Sequence, residues 1–153
     1  MKKISSLLVF LLSFSLASCG VESEPEFEVQ LKEDNTYEIV SLKGDNLYKE
    51  LVVPSEINGR KVTSIGQIAF TYQTKLEKVT LPTYLEEIGD SAFMHCINLT
   101  NITMPSTLKK IGNSVFESCT SLSSVTLNEG LTYIGSQVFS NCTSIREFNF
   151  PDS

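Results

Sequence analysis

The chain has 153 residues, with 12 Lys and Arg against 18 Asp and Glu, a single His and no Trp. A formal charge of −6 with no basic cluster argues against nucleic acid as a partner, because such proteins present a basic patch or stripe. With 41% hydrophobic residues the chain can bury the core of one domain.

In chain order, Lys2 and Lys3 form a positive start, and the apolar, Ser-dotted stretch from Ile4 to Ala17 follows. That stretch is shorter than the roughly 20 residues a membrane-spanning helix needs and reads as an export leader. Leu16-Ala17-Ser18-Cys19 resembles the lipobox of bacterial lipoproteins. The resemblance implies cleavage before Cys19, lipidation of its sulfur and acylation of its amine. Several acyl chains anchor stably, where one alone is marginal at about 0.8 kcal/mol per buried CH₂. The expected location is therefore outside the cytoplasm, on the outer membrane and surface-exposed. Residues 1–18 are read as the signal peptide.

The leader takes two of the 12 basic residues and no acid, so 10 basic against 18 acidic side chains leave the mature chain at −8. Between Gly20 and Asn35 stand Glu22, Glu24, Glu26, Glu28, Glu33 and Asp34 against Lys32 alone. We read residues 19–35 as the lipidated cysteine and a solvated acidic tether. Residues 36–153 form the repeat domain.

One phrase recurs every 23 residues: Ile65-Gly66-Gln67-Ile68-Ala69-Phe70, Ile88-Gly89-Asp90-Ser91-Ala92-Phe93, Ile111-Gly112-Asn113-Ser114-Val115-Phe116 and Ile134-Gly135-Ser136-Gln137-Val138-Phe139. A fixed period in this range means a solenoid, whose units bury their apolar faces only against their neighbours. A second apolar set has the spacing Leu-x-x-Val-x-Leu, as in Leu76, Val79 and Leu81. Residues two apart share one face of a strand, so Val79 and Leu81 point inward while Lys78 and Thr80 point out. Pro82, Pro105 and Pro151 end three such strands, and Asn128 stands in that place in the third. The Ile-Gly pair suggests a glycine at positive φ. Asp90, Asn113 and Ser136 follow it and are expected to cap a short helix or 3₁₀ turn. Phe70, Phe93, Phe116 and Phe139 are expected to stack as a core spine. The predicted class is an α/β solenoid with one short parallel-sheet strand and a turn or short helix per unit.

The whole unit resembles the BspA-type leucine-rich repeat of bacterial surface proteins. The Ile-Gly-x-x-Ala-Phe phrase, the cysteine after it and the run Leu81-Pro82-Thr83-Tyr84-Leu85-Glu86-Glu87-Ile88-Gly89 carry the likeness. Upstream, Tyr37-Glu38-Ile39-Val40 and Leu51 to Gly66 look like a first, longer unit, whose Pro54-to-Ile65 connection exceeds Pro82-to-Ile88 by five residues. The resemblance implies adhesion through protein contact. The last residues, Phe148-Asn149-Phe150-Pro151-Asp152-Ser153, lie on a strand without a polar capping unit. Either they fold over as a minimal cap, or this end meets another molecule as weak end-to-end self-association of an otherwise monomeric protein.

Cys96, Cys119 and Cys142 share one column, three residues after each phenylalanine. Coils about 4.8 Å apart leave disulfide distances open. Parallel Cβ directions and an odd count favour buried free thiols over a bond, and a line of sulfurs does not make the four converging ligands of a zinc site. His95 next to Cys96 lacks an orienting third group for a catalytic pair. No catalytic residue, metal or cofactor is expected. The candidate binding face is the outward side of the strands: Glu50 and Val52, Lys78 and Thr80, Asn101 and Thr103, Ser124 and Thr126, Glu147 and Asn149. With the adhesion that the resemblance implies, the expected protein is a lipid-anchored surface module that binds an unidentified protein of host or neighbouring cells. The alternative is a structural lipoprotein of the envelope facing the periplasm.

Overall fold

The computed structural model describes residues 25–44 and 48–149. Three backbone ladders run along the stack of coils. The first is a parallel sheet of β3 (Glu50–Val52), β6 (Lys78–Thr80), β8 (Asn101–Thr103), β10 (Ser124–Thr126) and β12 (Glu147–Asn149). Its register sets Leu51 against Val79 and Ile102 against Val125, so the middle residue of each strand enters the core and its two flanks face out. The second sheet runs β1 (Phe27–Leu31), β2 (Tyr37–Leu42), β5 (Arg60–Ile65), β7 (Glu87–Ile88), β9 (Lys110–Ile111) and β11 (Tyr133–Ile134), with β4 (Glu56–Ile57) paired to β5. Asn58 (φ 51°) and Gly59 (φ 74°) join β4 to β5, the two left-handed residues a tight hairpin needs. That hairpin is what lengthens the first unit.

The third ladder has no strands. Ile68, Phe70 and Tyr72 donate their N–H groups to Asp90, Ala92 and Met94 of the next coil at 3.0, 2.8 and 2.8 Å. Ser91, Phe93 and His95 repeat the pattern on Asn113, Val115 and Glu117. Left-handed residues make this ladder: Ile68, Ser91, Ser114 and Gln137 in one column, Tyr72, His95, Ser118 and Asn141 in another, all at φ between 52° and 60°. A chain that turns its N–H groups toward the next coil cannot close the i to i−4 bonds of a helix. No helix occurs among the described residues, and the fold is a β-solenoid rather than the expected α/β class. The residues expected as helix caps act between coils instead. Asp90 Oδ1 accepts the Asn113 N–H at 2.7 Å, and Asn113 Oδ1 accepts the Ser136 N–H at 2.9 Å.

The repeat glycines also differ from the expectation, since Gly66, Gly89, Gly112 and Gly135 do not have positive φ. They are needed for contact. A Cβ on Gly89 would lie 2.6 Å from Gln67 N and 2.8 Å from Gly66 C, and one on Gly135 would lie 2.6 Å from Gly112 C. Glycine lets successive backbones touch.

Inside, the phenylalanines stack at centroid distances of 5.1, 5.4 and 5.6 Å from Phe70 to Phe139. Perpendicular rings close both ends of this column, Phe27 on Phe70 and Phe148 on Phe139. Phe27 and Val29 are buried, so β1 belongs to the folded body as its amino-terminal cap. The tether expected over 19–35 therefore gives way to structure by Phe27, because burial of Phe27 and Val29 and pairing of β1 with β2 outweigh the acids between. At the other end the core thins. Ile88 and Ile111 are fully buried, whereas Ile134 in the same column is 45% exposed and Tyr133 48%. The expected cap over residues 150–153 lies outside the described residues, as does Cys19.

Cys96, Cys119 and Cys142 are free thiols. Each S–H donates to the phenylalanine carbonyl 26 residues earlier, Phe70, Phe93 and Phe116, at 3.2, 3.2 and 3.0 Å. Burial pushes the Cys96 thiol up to about 12 and raises Cys119 and Cys142 as well. These sulfurs fill space and bond the coil before them.

Three outcomes follow from this packing. Phe93→Ala is expected to lower stability by about 3–5 kcal/mol in urea denaturation, and Phe139→Ala, at the thinner end, by less. Gly89→Ala forces two backbones apart and is expected to cost about 1–3 kcal/mol by the same assay. Because the folded thiols titrate above their unfolded value, their stabilisation is complete below about pH 8.5. It falls at up to about 1.4 kcal/mol per pH unit per thiol as pH climbs toward the folded value. Cys96→Ala in denaturation curves from pH 8 upward should flatten that fall.

Candidate functional site

The outward face of the five-stranded sheet carries Glu50, Lys78, Asn101, Ser124 and Glu147 in one row and Val52, Thr80, Thr103, Thr126 and Asn149 in the next. The side chains lie side by side at the spacing of the strands. Lys78 and Glu50 pair at 3.9 Å, Lys49 and Glu77 at 3.0 Å, all four exposed. Pairs of this kind contribute about 0–1 kcal/mol and leave the groups available to another partner. Val52, 65% exposed, is the apolar side chain of this face and stands at its edge. The second sheet carries a similar charge ladder, with Lys109 on Glu86 at 3.0 Å, Lys110 on Glu87 at 2.7 Å and Lys110 over the Tyr133 ring.

Besides Tyr133 and Ile134 at the thinner end, an exposed apolar group lies on the third ladder, outside the face expected from the sequence. Ile68 is 56% exposed and Tyr72 55%, and Ile97 on the next coil is 38% exposed. The Tyr72 ring stacks on His95 at 4.7 Å and 13°. Both Ile68 and Tyr72 occupy left-handed positions, at φ 56° and 58°. For a β-branched residue this conformation is an outlier that costs on the order of 1–2 kcal/mol, and exposure returns little of it. Later coils place Ser91, Ser114 and Gln137, then Ser118 and Asn141, in the same columns. Polar residues in those columns beside Ile and Tyr in the first unit are the signal that could have been read from the repeat alignment. Without the φ angles the columns look like ordinary surface.

His95 lies on Tyr72 while the Cys96 thiol faces the core and bonds Phe70 O, so the two side chains diverge and cannot exchange a proton. Among the described residues no group of three or more His, Cys, Asp or Glu side chains converges as metal ligands would. The arrangement offers three flat or gently stepped surfaces.

Comparison with known proteins places this architecture. The model of the BspA type leucine rich repeat region matches residues 44–153 in six copies. No curated protein matches the chain. A leucine-rich repeat protein of Treponema pallidum, solved by crystallography (T. pallidum), is 30% identical with a TM-score of 0.66, over 82% of this chain and 69% of that one. A leucine-rich repeat protein from Bacteroides capillosus is 23% identical at a TM-score of 0.71, over 86% of this chain and 98% of that one, a likeness of fold. A leucine rich cell surface protein from Faecalibacterium prausnitzii is 24% identical at a TM-score of 0.63. It shares the fold over 90% of this chain, which spans 44% of its length. None of these comparisons indicates an enzyme family. With the stacked 23-residue coils, the phenylalanine column and the match over most of its length, the chain belongs to the BspA-type leucine-rich repeat family.

Proposed function

We propose that the protein is a non-enzymatic docking module of the cell surface, held in the membrane by lipid on Cys19, that binds another protein in adhesion to host or neighbouring cells. The observation that carries this reading is the pair Ile68 and Tyr72: apolar, exposed, and held on backbone that neither residue favours. Strain kept where it adds nothing to the core points to work done outside the molecule. Tyrosine is also among the residues enriched in the anchors that dominate protein interfaces. The repeat family, the leader with its lipobox and the name of the F. prausnitzii neighbour support a surface location. The broad polar face of the five-stranded sheet adds orientation and modest affinity.

Two measurements test this. Ile68→Asn is expected to raise stability by about 1 kcal/mol in urea denaturation, since asparagine accepts the left-handed conformation. A loss of stability would make Ile68 a structural residue and remove the support for the reading. Brief protease treatment of intact producing cells is expected to cleave the repeat domain while a periplasmic marker survives. A repeat domain that outlasts known surface proteins in that assay would point to an envelope scaffold facing inward.

A further inference from the structure

Almost every cation among the described residues is engaged. Among the described residues Lys43, Lys49, Lys78, Lys109 and Lys110 pair with glutamates. Lys32 donates to Thr63, Arg60 donates to Asn35 and lies over Tyr37, Lys61 lies over Tyr84, and Lys75 has a contact of its own. The Arg146 guanidinium is the exception. In an acidic protein with carboxylates to spare, a fork of donors left without a partner is a site of unused recognition chemistry.

Arg146 borders a shallow depression of about 480 Å³, lined with it by Ser121, Ser123, Ser124, Ser144 and Glu147. The repeat explains the hollow. The column Lys75 and Asn98 continues as Ser121 and Ser144; Glu77 and Thr100 lead to Ser123, and Lys78 and Asn101 to Ser124. Serine in three neighbouring columns of one coil lowers the surface, and Arg146 and Glu147 rise on the coil after it. Hydroxyl, guanidinium and carboxylate groups share the lining with a comparable amount of aliphatic surface. The Ser123 hydroxyl donates to Thr100 O at 3.0 Å, which leaves its oxygen as an acceptor.

From this we infer a binding site for a saccharide that carries a carboxylate, independent of the protein docking proposed above. The Ser121, Ser124 and Ser144 hydroxyls can donate and accept and that of Ser123 can accept, and with the aliphatic surface between them they match a sugar ring, which has hydroxyl edges and C–H faces, better than a wholly apolar or wholly ionic ligand. The guanidinium takes the carboxylate through two parallel hydrogen bonds. Glu147 accepts from ring hydroxyls and, beside Arg146, brings the site to neutral charge, which disfavours sulfate, phosphate and polyanions in a chain already at −6. A shallow, wet site with one charged pair supports weak binding, with a Kd on the order of 1 mM for a monosaccharide.

The test is a titration of the ¹⁵N-labelled protein with glucuronate, with glucose, acetate and inorganic sulfate as comparators, followed by amide shifts. Glucuronate is expected to give saturable shifts confined to residues 121–124 and 144–147. Glucose and acetate should bind at least about ten-fold more weakly, since each supplies one half of the recognition. Arg146→Gln should weaken glucuronate by a similar factor, and Ser144→Leu, which fills the hollow, should weaken glucuronate and glucose alike. The inference is overturned if glucuronate gives no saturable shift, if sulfate binds as tightly (an adventitious ion only), or if Arg146→Gln leaves the affinity unchanged. Unchanged spectra elsewhere in both variants show that the coil still folds.

Discussion

Contact between successive coils is the constraint on which this molecule rests. A single 23-residue coil has too few residues to enclose a core, so its phenylalanine, its inward strand residues and its cysteine are all satisfied by the coil before or after it. The distance between coils is set twice, once by hydrogen bonds in three ladders and once by aromatic rings at 5.1 to 5.6 Å. Glycine at the head of each phrase is what lets both distances hold together, because a Cβ there would meet the neighbouring backbone. Perpendicular rings at the two ends, Phe27 and Phe148, end the column without a gap.

The same constraint decides where function can sit. With the interior filled by side chains stacked at backbone spacing, chemistry is confined to the outside, and the variety among coils carries whatever is specific to this protein. The repeat holds every column to one backbone conformation, so a residue unsuited to its column stands out energetically. Ile68 and Tyr72 on left-handed backbone are such residues. A run of serines followed by an unpaired arginine is another local departure, this time in charge and in relief. The two lie on different ladders and at different coils, which lets one short solenoid offer two unlike surfaces.

Cysteine shows how burial changes the meaning of a residue. In sequence, three thiols in line leave the distance for a disulfide open, while their parallel directions and odd number favour free buried thiols. In the fold each is a weak donor to the carbonyl of a spine phenylalanine, and the surrounding core suppresses the thiolate that disulfide exchange or metal binding would need.

The period, the family and the identity of the core columns were legible in the sequence alone, because burial against identical neighbours forces the same apolar residue to return every 23 positions. The alternation that turns Val79 inward and Lys78 outward was legible for the same reason. Helix or turn after the Ile-Gly pair was not, since Asp90, Asn113 and Ser136 are residues that suit a helix cap as well as they suit a bond to the next coil. Whether glycine served conformation or clearance, and whether β1 was tether or cap, also depended on which backbone came to lie beside it. The candidate surface was hidden most fully: Ile68 and Tyr72 become unusual only once their φ angles are known, and Arg146 only once the other cations among the described residues have found their partners. Those are relations between coils, and only the tertiary structure brings coils into contact.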